Sequence, residues 1–154
     1  MAGKSRLSAA DIACWVIKSR RAPAAIAAGW RPGHEQRLNR CLRRSYRVEL
    51  MQPGQRCLLW LSGRDQPGVQ AIGTLLSQAE IPPVGADDPE AEVRVSLRLL
   101  QQPIPRSTLL ADPVFTRAEV LRMPAGSNPS YLTWDQVDTL RDFVDPREWE
   151  AAGW

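Results

Sequence analysis

The chain has one histidine, His34, and it stands next to Glu35, so the sequence offers one adjacent imidazole–carboxylate pair for proton transfer. A lone histidine leaves no histidine metal cluster. The three cysteines, Cys14, Cys41 and Cys57, lack C-x-x-C spacing, and their odd number argues against a disulfide framework. No P-loop, no G-x-G-x-x-G and no nucleophile-elbow context is present. Within a basic stretch, His34–Glu35 reads more readily as a solvated or phosphate-contacting pair than as a general acid and base. The expectation is a chain with no catalytic residues, no bound metal and no cofactor.

Two other residue classes point elsewhere. Net charge is only +3, yet Lys18 to Arg47 holds nine basic residues against the single acid Glu35, a local charge of +8 that leaves the rest acidic. Such asymmetry suits a polyanion, nucleic acid first, with Arg31, Arg37, Arg40, Arg43 and Arg44 as phosphate contacts; a solvated face is the bland alternative. Arginine outnumbers lysine 18 to 2, which a GC-rich genome's codon usage also produces, so the ratio itself is no evidence of recognition. Tryptophan is unusually frequent, six residues against two each of Tyr and Phe. Trp15 and Trp60 sit in apolar runs that read as core, and Trp134 on the apolar stripe of a late helix reads the same way. Trp30, in a loop beside Arg31, has two readings of equal weight: a hydrophobic contact after a helix-ending glycine, or a wall on which an extruded base stacks.

The elements that would position these residues follow from periodicity. Residues 11–19 are apolar on both faces, as in a central strand, and Cys14 and Cys57 in such runs read as buried thiols. Pro23 and Gly29 bracket a short helix, and 30–37 reads as an extended loop. Residues 38–51 fit either a strand or a helical turn. A turn at 52–55, a strand at 56–61 and a second at 69–76 form a hairpin, with Gly68 and Gly73 marking a bulge or a close backbone approach. A proline- and acid-rich loop over 81–90 precedes a one-sided strand from Val93, which Pro103 and Pro105 are expected to end. Residues 116–122 read as a short helix. Thr133 with Gln136 forms a capping box for a last helix carrying Trp134, Val137, Leu140 and Val144. No run is long and apolar enough for a signal peptide or a membrane span. The expected class is α+β, a small mixed β-barrel flanked by short helices, over 11–148, between a flexible leader (1–10) and a C-terminal tail (149–154).

Three blocks, Cys14-Trp15-Val16-Ile17-Lys18-Ser19, residues 52–63 with 68–73, and Met123 to Ser130, resemble the EVE family of the PUA-like superfamily. The first is also similar to the opening of the related YTH domains. The resemblance covers roughly 12–145 and implies a PUA-like barrel with a pocket for one modified base. It implies Lys18, Ser19 and Trp30 as pocket residues; Arg20 stands where YTH-type pockets place an asparagine, and Trp60 or Tyr131 would supply a second ring. Ser62 and Gly63 end a strand and could offer backbone N–H groups. Among Ser127, Asn128 and Ser130, Asn128 fits a base edge and Ser130 fits a turn cap. The resulting expectation is a cytoplasmic, monomeric module that binds DNA or RNA carrying a modified base, with no membrane partner. Its rivals are an RNA-processing nuclease of the PUA-like superfamily, using His34 and Glu35, and a protein-interaction adaptor with an incidental basic face.

Overall fold

The computed structural model describes residues 6–83 and 90–154. Residues 1–5 of the expected leader and 84–89 of the expected proline-rich loop lie outside the described residues. Six strands are joined in one sheet: β1 (Cys14–Ser19), β2 (Glu35–Leu42), β3 (Arg56–Leu61), β4 (Gly68–Leu75), β5 (Ala91–Pro105) and β6 (Ser130–Leu132). Their order is β2-β5-β4-β3-β1-β6, with β1 and β3 parallel and every other pair antiparallel. Short helices α1 (Pro23–Ile26), α2 (Arg106–Leu110) and α3 (Glu119–Arg122) lie in the connections, and α4 (Trp134–Arg141) and α5 (Pro146–Ala151) follow β6.

The period-2 pattern of the central strands explains why each face of the sheet carries its own apolar layer. Cys14, Val16, Leu58, Trp60 and Ile72 point one way, packing against Leu109, Phe115, Leu121 and Leu140 from the helical connections. Trp15, Ile17, Cys57, Leu59 and Val95 point the other way, under Trp30, Leu42, Val48 and Met51. Cys14 and Cys57 are buried, and burial pushes both thiols above their ordinary range.

The sheet is open, which corrects the expected closed barrel. Its outer strands are β2 and the three-residue β6. A backbone hydrogen bond, from the Arg43 N–H to the Asn128 carbonyl at 2.9 Å, links the chain just past β2 to the segment entering β6. No strand ladder forms between β2 and β6.

The hairpin glycines explain how β5 packs so closely. A Cβ on Gly73 would lie 1.7 Å from the Ser96 carbonyl oxygen, and one on Gly68, at φ +144°, 2.1 Å from that of Ile104. The β4–β5 register shifts between Val69 and Ala71, so both the bulge and the close approach are present. Beyond that shift β5 runs through Pro103 and ends at Pro105, the second of the two prolines expected to end it. Gly68 and Val69 pair with Pro105 and Ile104 there, and Pro103 is exposed.

Other elements differ in particulars. The stretch expected as loop already enters β2 at Glu35, and 38–51 holds both alternatives, strand to Leu42 and then a 3₁₀ turn over Tyr46–Leu50. The Thr133–Gln136 capping box is formed. Trp134, expected in the core, is 54% exposed; its indole donates to the Ala10 carbonyl and Arg56 lies over its ring. The expected tail instead includes the second half of α5, whose Trp149, with Trp154, packs on the apolar layer, and the Trp154 indole donates to the Gly73 carbonyl at 2.7 Å.

Candidate functional site

Parallel pairing brings the ends of β1 and β3 to the same edge of the sheet, where Ser19 faces Leu61. The two chains then diverge, β1 toward α1 and β3 into the hairpin loop, leaving a cleft of about 810 Å³. Lys18, Ser19 and Arg20 line one side, Ser62, Gly63 and Arg64 another, and Arg43 a third. The wall opposite is the segment from Pro124 to Asn128.

Asn128 fixes that wall. Its side-chain oxygen accepts the Lys18 N–H at 3.0 Å, and its amide donates to the Lys18 carbonyl at 3.4 Å, so one side chain imitates a neighbouring strand. The Lys18 ammonium donates to the Pro124 carbonyl at 3.3 Å. Ser19 is braced as well, its hydroxyl donating to the Arg21 carbonyl and accepting the Arg21 N–H. The Ser62 N–H, expected as a free donor, is committed to the Ser19 carbonyl at 2.8 Å. Gly63 has φ +111°, a conformation that favours glycine, with open space at its Cβ position.

The charge of the cleft is one-sided. Lys18, Arg20, Arg43 and Arg64 line it against a single carboxylate, Asp65. Burial lowers the Lys18 ammonium pKa; Glu119 opposes this, and Arg47 and Arg43 add to it. An anion entering the cleft would relieve that repulsion.

Behind the wall lies an arrangement that sequence reading missed. Arg47 makes a two-pronged ion pair with Glu119, at 2.7 and 2.8 Å, with side chains 13% and 19% exposed. Glu119 also accepts the Ser130 hydroxyl at 2.8 Å, and Arg47 reaches the Pro129 carbonyl at 3.2 Å. Burial alone would push the Glu119 carboxyl up. Hydrogen bonds from Arg47 and Ser130, with the charges of Arg47 and Lys18, outweigh it and hold the carboxyl below its ordinary value. The partners are 72 residues apart, so no sequence window shows the pair. Arg64 had a signal, its position directly after Ser62–Gly63.

The aromatic expectations are corrected. Trp30 is 6% exposed, packed in the layer of Trp15 and Ile17, and its indole donates to the His34 carbonyl at 2.9 Å. The glycine-bracketed turn folds the ring inward, so the hydrophobic contact, not the stacking wall, is the arrangement found. Trp60 is buried in the opposite layer, and Tyr131 lines a neighbouring cleft with Arg47 over its ring. No aromatic ring lines the basic cleft among the described residues. Of the expected phosphate contacts, Arg43 lines the cleft, whereas Arg31, Arg37 and Arg44 are exposed elsewhere and Arg40 is half-buried on β2. His34 and Glu35 stand at the start of β2 and do not line this cleft; the Glu35 carboxylate is engaged by the Ser96 hydroxyl.

No protein-family model matches the chain, and no curated protein matches it. Solved structures do. A hypothetical protein from Leishmania major superposes with a TM-score of 0.68 at 14% identity, over 88% of this chain and 96% of that one. A protein from Pseudomonas syringae gives 0.64 at 16%, over 85% and 99%. Human THYN1, solved in complex with DNA containing 5-methylcytosine, gives 0.54 at 15%, over 84% and 96%. The chain shares its fold with THYN1. At these identities the likeness is one of fold, and it extends over nearly the full length of each neighbour. The DUF55 domain of human thymocyte nuclear protein 1, solved separately, matches equally well, with a TM-score of 0.54 at 15% identity. Among the described residues, no helix is long and apolar enough to cross a membrane.

Proposed function

We propose that this chain is an EVE-type, PUA-like binding module that takes one modified base of a nucleic-acid strand into the cleft at the ends of β1 and β3. One observation carries the reading: four cationic side chains and a single carboxylate line that cleft, beside a wall of braced backbone. That THYN1, a neighbour in fold, was solved with DNA containing 5-methylcytosine supports the choice of ligand class.

Base recognition needs flat contacts as well as charge. With Trp30 in the core, the flat partners in this cleft are guanidinium planes, from Arg20, Arg43 or Arg64, opposed by Leu61, Pro124 and Ala125. Arginine stacks on bases as aromatic rings do and also pairs with phosphate. The Asn128 amide retains a second N–H for a base edge after bracing Lys18. The role is binding, without chemistry on the strand.

The test is a set of short DNA and RNA strands at fixed salt, each carrying one modified base, with unmodified controls. The expected result is salt-dependent binding with a preference for one modification. Arg20→Ala with Arg43→Ala should weaken that binding at least tenfold. Binding that ignores the modification, or ignores both substitutions, would overturn the reading, and so would strand cleavage or base removal by the wild type.

A further inference from the structure

We propose that the cleft on the far side of the Pro124–Asn128 wall holds the DNA strand flanking the captured base, with Arg117 and Arg122 on its phosphates and Tyr46 and Tyr131 beside a neighbouring base. This deepens the reading above and rests on it.

The second cleft, about 840 Å³, lies between the 3₁₀ turn at Tyr46, α3 and β6. Gly126 lines both clefts, so a chain leaving one enters the other across a single loop. The contents of the two clefts differ in kind. The first has cations and no ring among the described residues. The second adds two half-buried tyrosines, with the Arg6 guanidinium 4.9 Å from the Tyr46 ring centre and that of Arg47 5.4 Å from the Tyr131 ring centre.

The charges in the second cleft sort into two groups. The Glu119 carboxylate is held by Arg47 and Ser130, so the pair is close to neutral as a unit. Arg6, Arg117 and Arg122 are exposed, and none has a carboxylate within 4.0 Å among the described residues. Three uncompensated guanidiniums around two tyrosine rings match a chain that alternates anionic phosphodiesters with flat bases. An acidic peptide would use the charges but bring no flat group to the rings, each of which has one guanidinium over it. A continuous strand uses both clefts at once, and each contact raises the effective concentration of the next.

Arg117 and Arg122 are exposed, and their guanidiniums make no hydrogen bond or ion pair among the described residues, so their replacement leaves the fold intact. The probes are a trinucleotide and a nine-nucleotide single-stranded DNA, both centred on 5-methylcytosine, read by titration at several salt concentrations. For Arg117→Ala with Arg122→Ala, affinity for the nine-nucleotide strand should fall about tenfold. Its log–log salt slope should shrink by about 1.4, or about 0.7 for each phosphate no longer neutralised. Affinity for the trinucleotide should stay within twofold of the wild type. If the nine-nucleotide strand binds the double variant as it binds the wild type, the flanking-strand proposal is overturned and the base-pocket reading stands. Equal losses for both probes also overturn it, since the arginines would then act on the base pocket. A wild type that binds neither probe overturns the flanking-strand proposal for 5-methylcytosine DNA, and one that also binds no member of the modified-base set overturns both readings.

Discussion

Arg43 and Arg47 are four residues apart in the same basic run, yet the fold gives them opposite work. Arg43 is exposed at the mouth of the basic cleft, beside Lys18, with Asp65 the one carboxylate lining that cleft. Arg47 turns under the opposite side of the 124–129 wall and is engaged by Glu119 and the Pro129 carbonyl. A count of charge treats them alike. The first remains available to an outside anion, and the second fastens the wall against which that anion would sit. The local excess of positive charge is therefore an upper bound on what a ligand can meet, because part of it is neutralised internally.

The largest expected effect comes from a ring that lines neither cleft. Trp30→Ala should lower stability by about 3–5 kcal/mol, the range for emptying a buried tryptophan site, measured by urea unfolding. A folded variant of unchanged stability that has lost strand binding would put Trp30 back at the ligand and erase the contrast between a ring-free cleft and a ring-lined one.

Next is the fastening itself. Glu119→Ala leaves Arg47 half-buried without its partner and should cost about 3 kcal/mol at neutral pH. Because the folded carboxyl pKa is held below its unfolded value of about 4.3, the contribution is present above that pH. It is lost as pH falls through the lower folded value. Unfolding curves of variant and wild type should therefore converge on acidification; a gap that is constant with pH would show that Glu119 acts through packing rather than charge. Smaller again, Asn128→Ala removes two hydrogen bonds to the Lys18 backbone and should cost about 1–2 kcal/mol. It should weaken binding of a modified strand more than that of an unmodified one, since it loosens only the wall of the base cleft. An equal loss on both would mean that the wall does not read the base.

The smallest effect sharpens the comparison within the basic run. Arg44 is exposed and lines neither cleft, so Arg44→Ala should change stability by less than about 0.5 kcal/mol. It should leave the salt slope of binding unchanged, whereas Arg43→Ala should reduce it by about 0.7. Equal slopes for the two variants would make the segment a diffuse field rather than a set of placed contacts.

Local chemistry by itself determined much of this molecule. The two-faced apolar run ending in Lys18-Ser19 could only be a central strand, since both of its sides need cover. Gly68 and Gly73 announced a close crossing, and Thr133 with Gln136 announced a helix start, because each depends on atoms within a few residues or on a Cβ that cannot be there. Lys18, Ser19 and Arg20 came from the resemblance to EVE and YTH sequences and Ser62 and Gly63 from their place at a strand end, and the parallel register of β1 and β3 sets them along one cleft. Tertiary structure alone decided where the rings and the charges finally went. Whether a loop tryptophan points in or out depends on which layer has room for it, and Trp30 found that room over Trp15 and Ile17. Whether a barrel closes depends on the outer strands meeting, and here β2 and β6 form no ladder and the sheet stays open. Whether an arginine is free depends on a carboxylate that can be any distance away in the chain; for Arg47 it was 72 residues off, on α3.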